Sequence, residues 1–263
     1  MTALELKDLE LGIGGRILVS GLSVRMNPGE TWVVLGQNGS GKTTLLHTLA
    51  GLRKPETGSV LLDGEPLENF SHRQRARHIG ILFQDYEVLF PGSVIDTVLT
   101  SRYPYSGWSQ LFGDSDEDRR VAVEAIKDQG LLDFESRNMA SLSGGERRRV
   151  QIAALAAQTV PIQLLDEPTN HLDLRHQIQV LDYIVRGKNK APELQANDTL
   201  NVMAIHDINL AIQYGTHAIL LFVDGTSQAG ALPEIINQPS LEALFQCRLQ
   251  TVHSDNRTLY LPA

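Results

Sequence analysis

The sequence predicts an α/β fold, and three features predict it. Thr31-Trp32-Val33-Val34-Leu35 is a β-branched, apolar run of strand character that leads through a glycine-rich loop to Leu45, Leu46 and Leu49 at helical spacing. Further strand-like runs at 59–64, 79–83, 162–165, 200–205 and 217–223 alternate with helical patterns. Residues 86–140 break that rhythm as a mostly helical insertion. With 263 residues the chain can bury a full core and suits one large α/β domain or two lobes.

The elements follow in order. Residues 1–30 are β-rich, with Leu4, Leu6, Ile17, Leu18, Leu22 and Val24 partly alternating and Gly12, Gly14, Gly15 and Gly21 marking turns. Asn27-Pro28-Gly29 is a tight turn before the first core strand. Gly51 suits the left-handed position just past the first helix. Residues 54–58 turn the chain into a strand that ends at Asp63-Gly64, and residues 79–83 form another that closes on Gln84. In the insertion, Pro91, Gly92, Pro104 and Gly107 punctuate an aromatic stretch. The acidic residues 114–118 then start a helical run through Val121, Val123, Ala125, Ile126 and Leu131. The core resumes at 142 with a helix, a strand at 162–165, a helix at 174–186, a strand at 200–205 and a final strand near 217–223. Residues 187–199 are a polar connection, and the tail after 240 holds a helix and a hairpin turning at Asp255-Asn256.

Composition narrows the class. Hydrophobic residues at 42% and charged residues at 21% suit a soluble globular protein. A net charge of −8 speaks against nucleic acid as a partner, because such binding runs on phosphate neutralisation. No apolar run approaches the roughly 18–20 residues of a membrane span, and the N-terminus lacks the pattern of a signal peptide. A lone Cys247 permits no internal disulfide and fits a reducing compartment. The expectation is a soluble, cytoplasmic chain.

The glycine loop carries chemistry. Gly36-Gln37-Asn38-Gly39-Ser40-Gly41-Lys42-Thr43-Thr44 matches G-x-x-x-x-G-K-[ST] between a strand and a helix. Its glycines let backbone N–H groups turn around phosphate oxygens, and the helix N-terminus adds partial positive charge. Lys42 is placed to reach the β- and γ-phosphates of a nucleotide triphosphate, and the Thr43 hydroxyl to hold Mg²⁺. The strand at 162–165 ends in Asp166 and Glu167: Asp166 can join Mg²⁺ through water, and Glu167 can orient or deprotonate an attacking water. Ser143-Gly144-Gly145-Glu146 reads as a capped helix start that doubles as an anion site. Gln163, polar within an apolar strand, has no evident role.

Gly36 to Thr44, Gln84, Leu142 to Glu146, Ile162 to Glu167, Asp173 and His206 fall in the order and spacing of the ATP-binding-cassette family, and the resemblance covers nearly the whole chain. It implies a P-loop, RecA-like α/β core over 1–85 and 150–263, with an antiparallel β subdomain, and an inserted helical subdomain over 86–149. It implies ATP and Mg²⁺ as cofactors and a homodimer that closes over two nucleotides. Gln84 is then a Q-loop residue touching Mg²⁺, water and the transport partner, and Ser143, Gly144 and Gly145 contact the γ-phosphate bound to the other protomer. Asp173 belongs to a loop that communicates across the dimer, and His206 is a switch histidine for the γ-phosphate and Glu167. Two positions depart from the family pattern: Ile13 stands where an aromatic residue stacks on adenine, and Ala154 where the signature helix carries arginine.

Ser101-Arg102-Tyr103-Pro104-Tyr105 resembles the Gly-Arg-Tyr-Pro-His segment of importer ATPases for metal chelates: siderophores, haem and vitamin B12. The segments at 172–177 and 206–211 and the compact tail resemble the same subgroup, and molybdate importers share these features. That likeness implies an integral membrane permease as partner, a substrate-binding protein met indirectly, and a peripheral position on the cytoplasmic face of the inner membrane. A soluble, non-transport cassette acting on ribosomes, DNA or iron–sulfur assembly is the alternative. Asp166-Glu167-Pro168-Thr169-Asn170-His171-Leu172-Asp173 is also typical of ribosome-associated cassettes.

Overall fold

The partial alternation of the N-terminal leucines folds into a long hairpin. The structure, a computed structural model, describes residues 2–84, 92–105, 115–187, 199–254 and 257–263. It divides into two compact units, Met1–Asn69 with Leu200–Ala263, and Phe70–Thr199.

In the first unit β1 (Leu4–Ile13) pairs antiparallel with β2 (Arg16–Met26), and Gly14-Gly15, both at positive φ, make the turn. Gly12 and Gly21 lie inside the strands instead. Gly21, at φ 63, falls where the register slips between Leu9↔Leu22 and Leu11↔Val19. A β-bulge uses a left-handed residue as readily as a turn does, so the glycine signal is shared by both. β3 (Thr31–Gly36) is buried throughout and leads through the glycine loop into α1 (Lys42–Leu49). Gly51, at φ 67, closes α1 as expected, with the Leu52 N–H donating to His47 O at 2.9 Å. β4 (Thr57–Leu62) pairs with β1, and Asp63-Gly64, at φ 52 and 85, turns it into β5 (Glu65–Pro66).

The second unit begins with α2 (His72–His78) and β6 (Ile79–Leu82), followed by α3 (Val94–Thr100) and α4 (Asp116–Asp128). Next come α5 (Gly144–Ala157), β7 (Ile162–Asp166) and α6 (Leu174–Arg186). β6 and β7 run parallel, Ile79↔Ile162 through Leu82↔Leu165. Val94 and Val98 of α3, Ile126 of α4 and Val150 and Ala153 of α5 share one hydrophobic core. Arg102 and Tyr105 are committed inside the same unit. The Arg102 guanidinium pairs with Asp118 at 2.8 Å, donates to Ala157 O at 2.9 Å and lies over the Tyr105 ring, while the Tyr105 hydroxyl donates to Thr159 O at 3.1 Å. Tyr103 between them is 72% exposed. Pro91, Gly107 and residues 188–198 lie outside the described residues.

The chain then returns to the first unit with β8 (Leu200–Ala204), α7 (Ile208–Tyr214), β9 (His217–Leu221) and β10 (Ser227–Ala231). β3 is flanked by β8 and β9, both parallel to it, and β10 adds antiparallel to β9. The final strand expected near 217–223 thus ends at Leu221 and has a successor. β10 reads Ser-Gln-Ala-Gly-Ala, an edge strand without the β-branched or aromatic residues that betray strands in sequence. α8 (Leu232–Ile235), α9 (Gln238–Phe245) and the hairpin β11 (Leu249–Ser254) and β12 (Arg257–Pro262) complete the unit. The hairpin is present with Ser254↔Arg257 as its last pair; Asp255-Asn256 lies outside the described residues.

Candidate active site

In the first unit the site grows from the end of β3. Gly39 and Gly41, at φ 77 and 103, turn the chain so that α1 starts at Lys42. A Cβ on Gly36 would overlap Ser40 Oγ and come within 2.7 Å of Leu221 O, so the loop closes on itself only with glycine there. Asn38 and Gly39 are exposed at the crest of the loop, while Ser40, Lys42 and Thr44 are buried and Thr43 is half-buried. Lys42 Nζ donates to Gly36 O at 2.9 Å and Gln37 O at 3.1 Å, which folds a buried ammonium back over the loop. Among the described residues the buried Ser40 Oγ has no hydrogen-bond partner.

The start of α1 differs from that of most other helices. α2 to α7 and α9 each begin with a Ser, Asp or Asn side chain accepting from a backbone N–H. α1 has no side-chain cap and no acid in its first turn. A helix start without a side-chain cap, a buried cation and an unpartnered hydroxyl fits the phosphates of ATP. Ile13 is 51% exposed at the tip of the β1–β2 hairpin, where it offers apolar surface rather than a ring. His206 follows β8 and is exposed, and the next residue, Asp207, caps α7.

In the second unit β7 delivers Asp166, wholly buried, and then Glu167, 7% exposed and held at φ 50. A left-handed non-glycine residue costs on the order of 1–3 kcal/mol and persists only where its surroundings enforce it. Those surroundings are amides and a guanidinium. Gln84 Nε2 donates to Glu167 Oε2 at 3.2 Å, and Asn170 Nδ2 donates to the same oxygen. Arg148 of α5 donates to the backbone carbonyls of Asp166, Glu167 and Pro168, and to that of Phe83, next to Gln84. The structure therefore brings together Gln84 and Glu167, distant in sequence. It adds Arg148 and Asn170, for which the sequence reading had no role. A signal for Arg148 existed: within Arg147-Arg148-Arg149 it is the one at i, i+4 and i+7 with the buried Ile152 and Leu155.

Ser143 opens α5 with a full capping box: its N–H and hydroxyl both donate to Glu146 Oε2 at 2.7 Å, and the Glu146 N–H donates to Ser143 Oγ at 3.3 Å. The Ser143 backbone N–H and then its hydroxyl hold the Glu146 carboxyl below its usual range. Gly144 and Gly145 lie against His171, and a Cβ on Gly145 would stand 3.2 Å from His171 O. Asp173 caps α6 and pairs with the His176 ring at 2.8 Å.

The oxygen donors foreseen for a metal, the Thr43 hydroxyl, Gln84 amide and Asp166 carboxylate, are hard ligands of the kind Mg²⁺ takes. Among the described residues no helix is long and apolar enough to cross a membrane.

Comparisons with known proteins give the family. A family model described as ABC transporter matches residues 19–170. The petrobactin import ATP-binding protein FpuD of Bacillus anthracis is 35% identical over 95% of this chain and 89% of its own length. The ferric enterobactin transport ATP-binding protein FepC of Escherichia coli (strain K12) is 32% identical over 94% of this chain and 88% of its own. Among solved structures, a chain of a metal-chelate type ABC transporter in an inward-facing conformation superposes with a TM-score of 0.82 at 27% identity, covering 100% of this chain and 98% of that one. A dimeric post-hydrolysis ATP-binding cassette with ADP and Pi gives a TM-score of 0.73 at 28% identity, over 87% of this chain and 98% of that one. The chain belongs to the ABC transporter family and is one of its ATP-binding, ATP-hydrolysing cassettes.

Proposed function

We propose that this cassette energises import of a metal chelate, of the iron-siderophore, haem or cobalamin kind, through a separate membrane permease. The hydrolytic part is carried by Glu167, a carboxylate held at the end of β7 by the Gln84 and Asn170 amides. In this reading the single cassette spans 1–263, with 86–149 as its helical subdomain. Gly36, Asn38, Gly39, Ser40, Gly41, Lys42, Thr43 and Thr44 bind the ATP phosphates, and Ile13 lies against adenine. Thr43, Gln84 and Asp166 would hold Mg²⁺, which would screen the phosphate charge. Glu167 accepts a proton from the attacking water, and His206 holds the γ-phosphate end. Ser143, Gly144 and Gly145 complete the site of a second copy, so the working unit is a homodimer on the cytoplasmic face of the membrane. A substrate-binding protein delivers cargo to the permease. The cargo class rests on relatives named for petrobactin, ferric enterobactin, cobalamin and hemin import.

The test is Glu167→Gln in cells offered labelled ferric siderophore, haem and cobalamin in parallel. The variant is expected to bind ATP, to lose about 10²-fold or more of its hydrolysis, a loss in the range of general acid–base catalysis, and to abolish uptake of one cargo. Wild-type hydrolysis in the variant refutes the residue assignment. Unchanged uptake of all three cargoes refutes the transport assignment.

A further inference from the structure

Arg148 is 3% exposed and belongs to neither the phosphate loop nor the signature residues. Its guanidinium donates to four main-chain carbonyls drawn from two separate segments. Nη2 donates to Asp166 O and Glu167 O, both at 2.6 Å, and Nε donates to Pro168 O at 3.3 Å. Nη1 donates to Phe83 O at 2.6 Å, and its bond to Gln151 Oε1 at 3.0 Å steadies the guanidinium from within α5. One side chain thus spans the end of β7, the residue before Gln84 and the helix that opens with Ser143.

From this geometry we infer that Arg148 is a positioning residue for hydrolysis: it holds the backbone under Glu167 and Gln84 and ties both to the signature helix. The inference rests on the assignment of Glu167 made above. The physical case is the left-handed backbone at Glu167. Its carbonyl, and those on either side, point at one planar cation whose fork of donors fixes their directions as well as their distances. A lysine keeps the charge and loses the fork. With the fork gone, Glu167 relaxes and its carboxylate leaves the place set by the Gln84 and Asn170 amides. A misplacement of about 1 Å costs on the order of 10²-fold in rate. Because the grip starts on α5, five residues beyond Ser143, a shift of that helix is transmitted to Glu167 in the same chain.

The experiment compares Arg148→Lys and Arg148→Gln with the unaltered full-length chain. ATP affinity and the number of binding-competent sites are measured by equilibrium binding, and turnover is then expressed per competent site. The expected result is ATP affinity within threefold of the unaltered chain and kcat per site reduced at least tenfold in both variants. A residue that only supports the fold would lower the number of competent sites and leave kcat per site untouched, and that result overturns the inference. So does a parallel loss of affinity and kcat, or a chain that fails to fold with either substitution. Glu167→Gln runs alongside: if it hydrolyses ATP normally, the underlying assignment fails, whereas an inactive Glu167→Gln with normal Arg148 variants removes only the role of Arg148.

Discussion

Gly36→Ala tests whether the phosphate loop is shaped by space or by backbone conformation. Gly36 has an ordinary backbone, so alanine meets no torsional penalty there, but its Cβ would overlap Ser40 Oγ and lie 2.7 Å from Leu221 O. The serine can rotate. The carbonyl cannot, since Leu221 is the partner of Gly36 in the β3–β9 ladder. Restoring an ordinary carbon–oxygen contact parts the strands by roughly 0.5–0.7 Å, an overpacking that costs about 2–3 kcal/mol. Gly39→Ala is the control: it sits at φ 77 with nothing within 4 Å, so it carries only the left-handed penalty, about 1–2 kcal/mol. The assay is urea unfolding followed by Trp32, buried on the same strand, in a Trp108→Phe background that makes it the sole tryptophan. Gly36→Ala is expected to unfold at clearly lower urea than Gly39→Ala and to lose ATP affinity at least tenfold through the displaced Ser40. If the two variants unfold together, the crowding argument is wrong.

Two further outcomes follow from the second unit. Ser143→Ala removes the side-chain cap of α5 and is expected to cost about 1 kcal/mol, read as a lower denaturation midpoint; an unchanged midpoint would show the cap to be idle. Asp118→Asn leaves the Arg102 guanidinium buried without its counter-charge, a loss of about 3 kcal/mol at neutral pH. Burial raises the Asp118 carboxyl, but the bonds from Arg102 and Ser115 outweigh it and hold the group below its usual range. Its stabilisation is therefore present above the unfolded value, near pH 3.9, and lost as pH falls through the lower folded value. Thermal midpoints from pH 7 to 3 should show the advantage over Asp118→Asn shrinking below about pH 4; a constant difference across that range contradicts the reading.

Where a function needs only consecutive residues, the sequence declared it. The phosphate loop is legible because its glycines, lysine and threonines answer local demands of backbone reversal and helix start. The Ser143–Glu146 capping box is a contact over three residues, and β7 with its terminal acids is one short apolar run. The pairing of Gln84 with Glu167 was not legible in the sequence, because it depends on β6 and β7 lying side by side in parallel. Tertiary structure alone decided the rest. Gly36 is required by a carbonyl at Leu221, Arg148 is given meaning by Phe83 and Pro168, and Glu167 is held by Asn170 in a conformation that no propensity predicts. Arg102 and Tyr105, read as a family likeness, are chiefly occupied in closing the helical unit on itself. β10 stayed hidden because an edge strand of small residues is made by its partner's hydrogen bonds, not by its own side chains. The division has one physical cause: local motifs encode backbone geometry in neighbouring residues, whereas packing and carbonyl capture depend on which distant segments the fold brings within 3 Å.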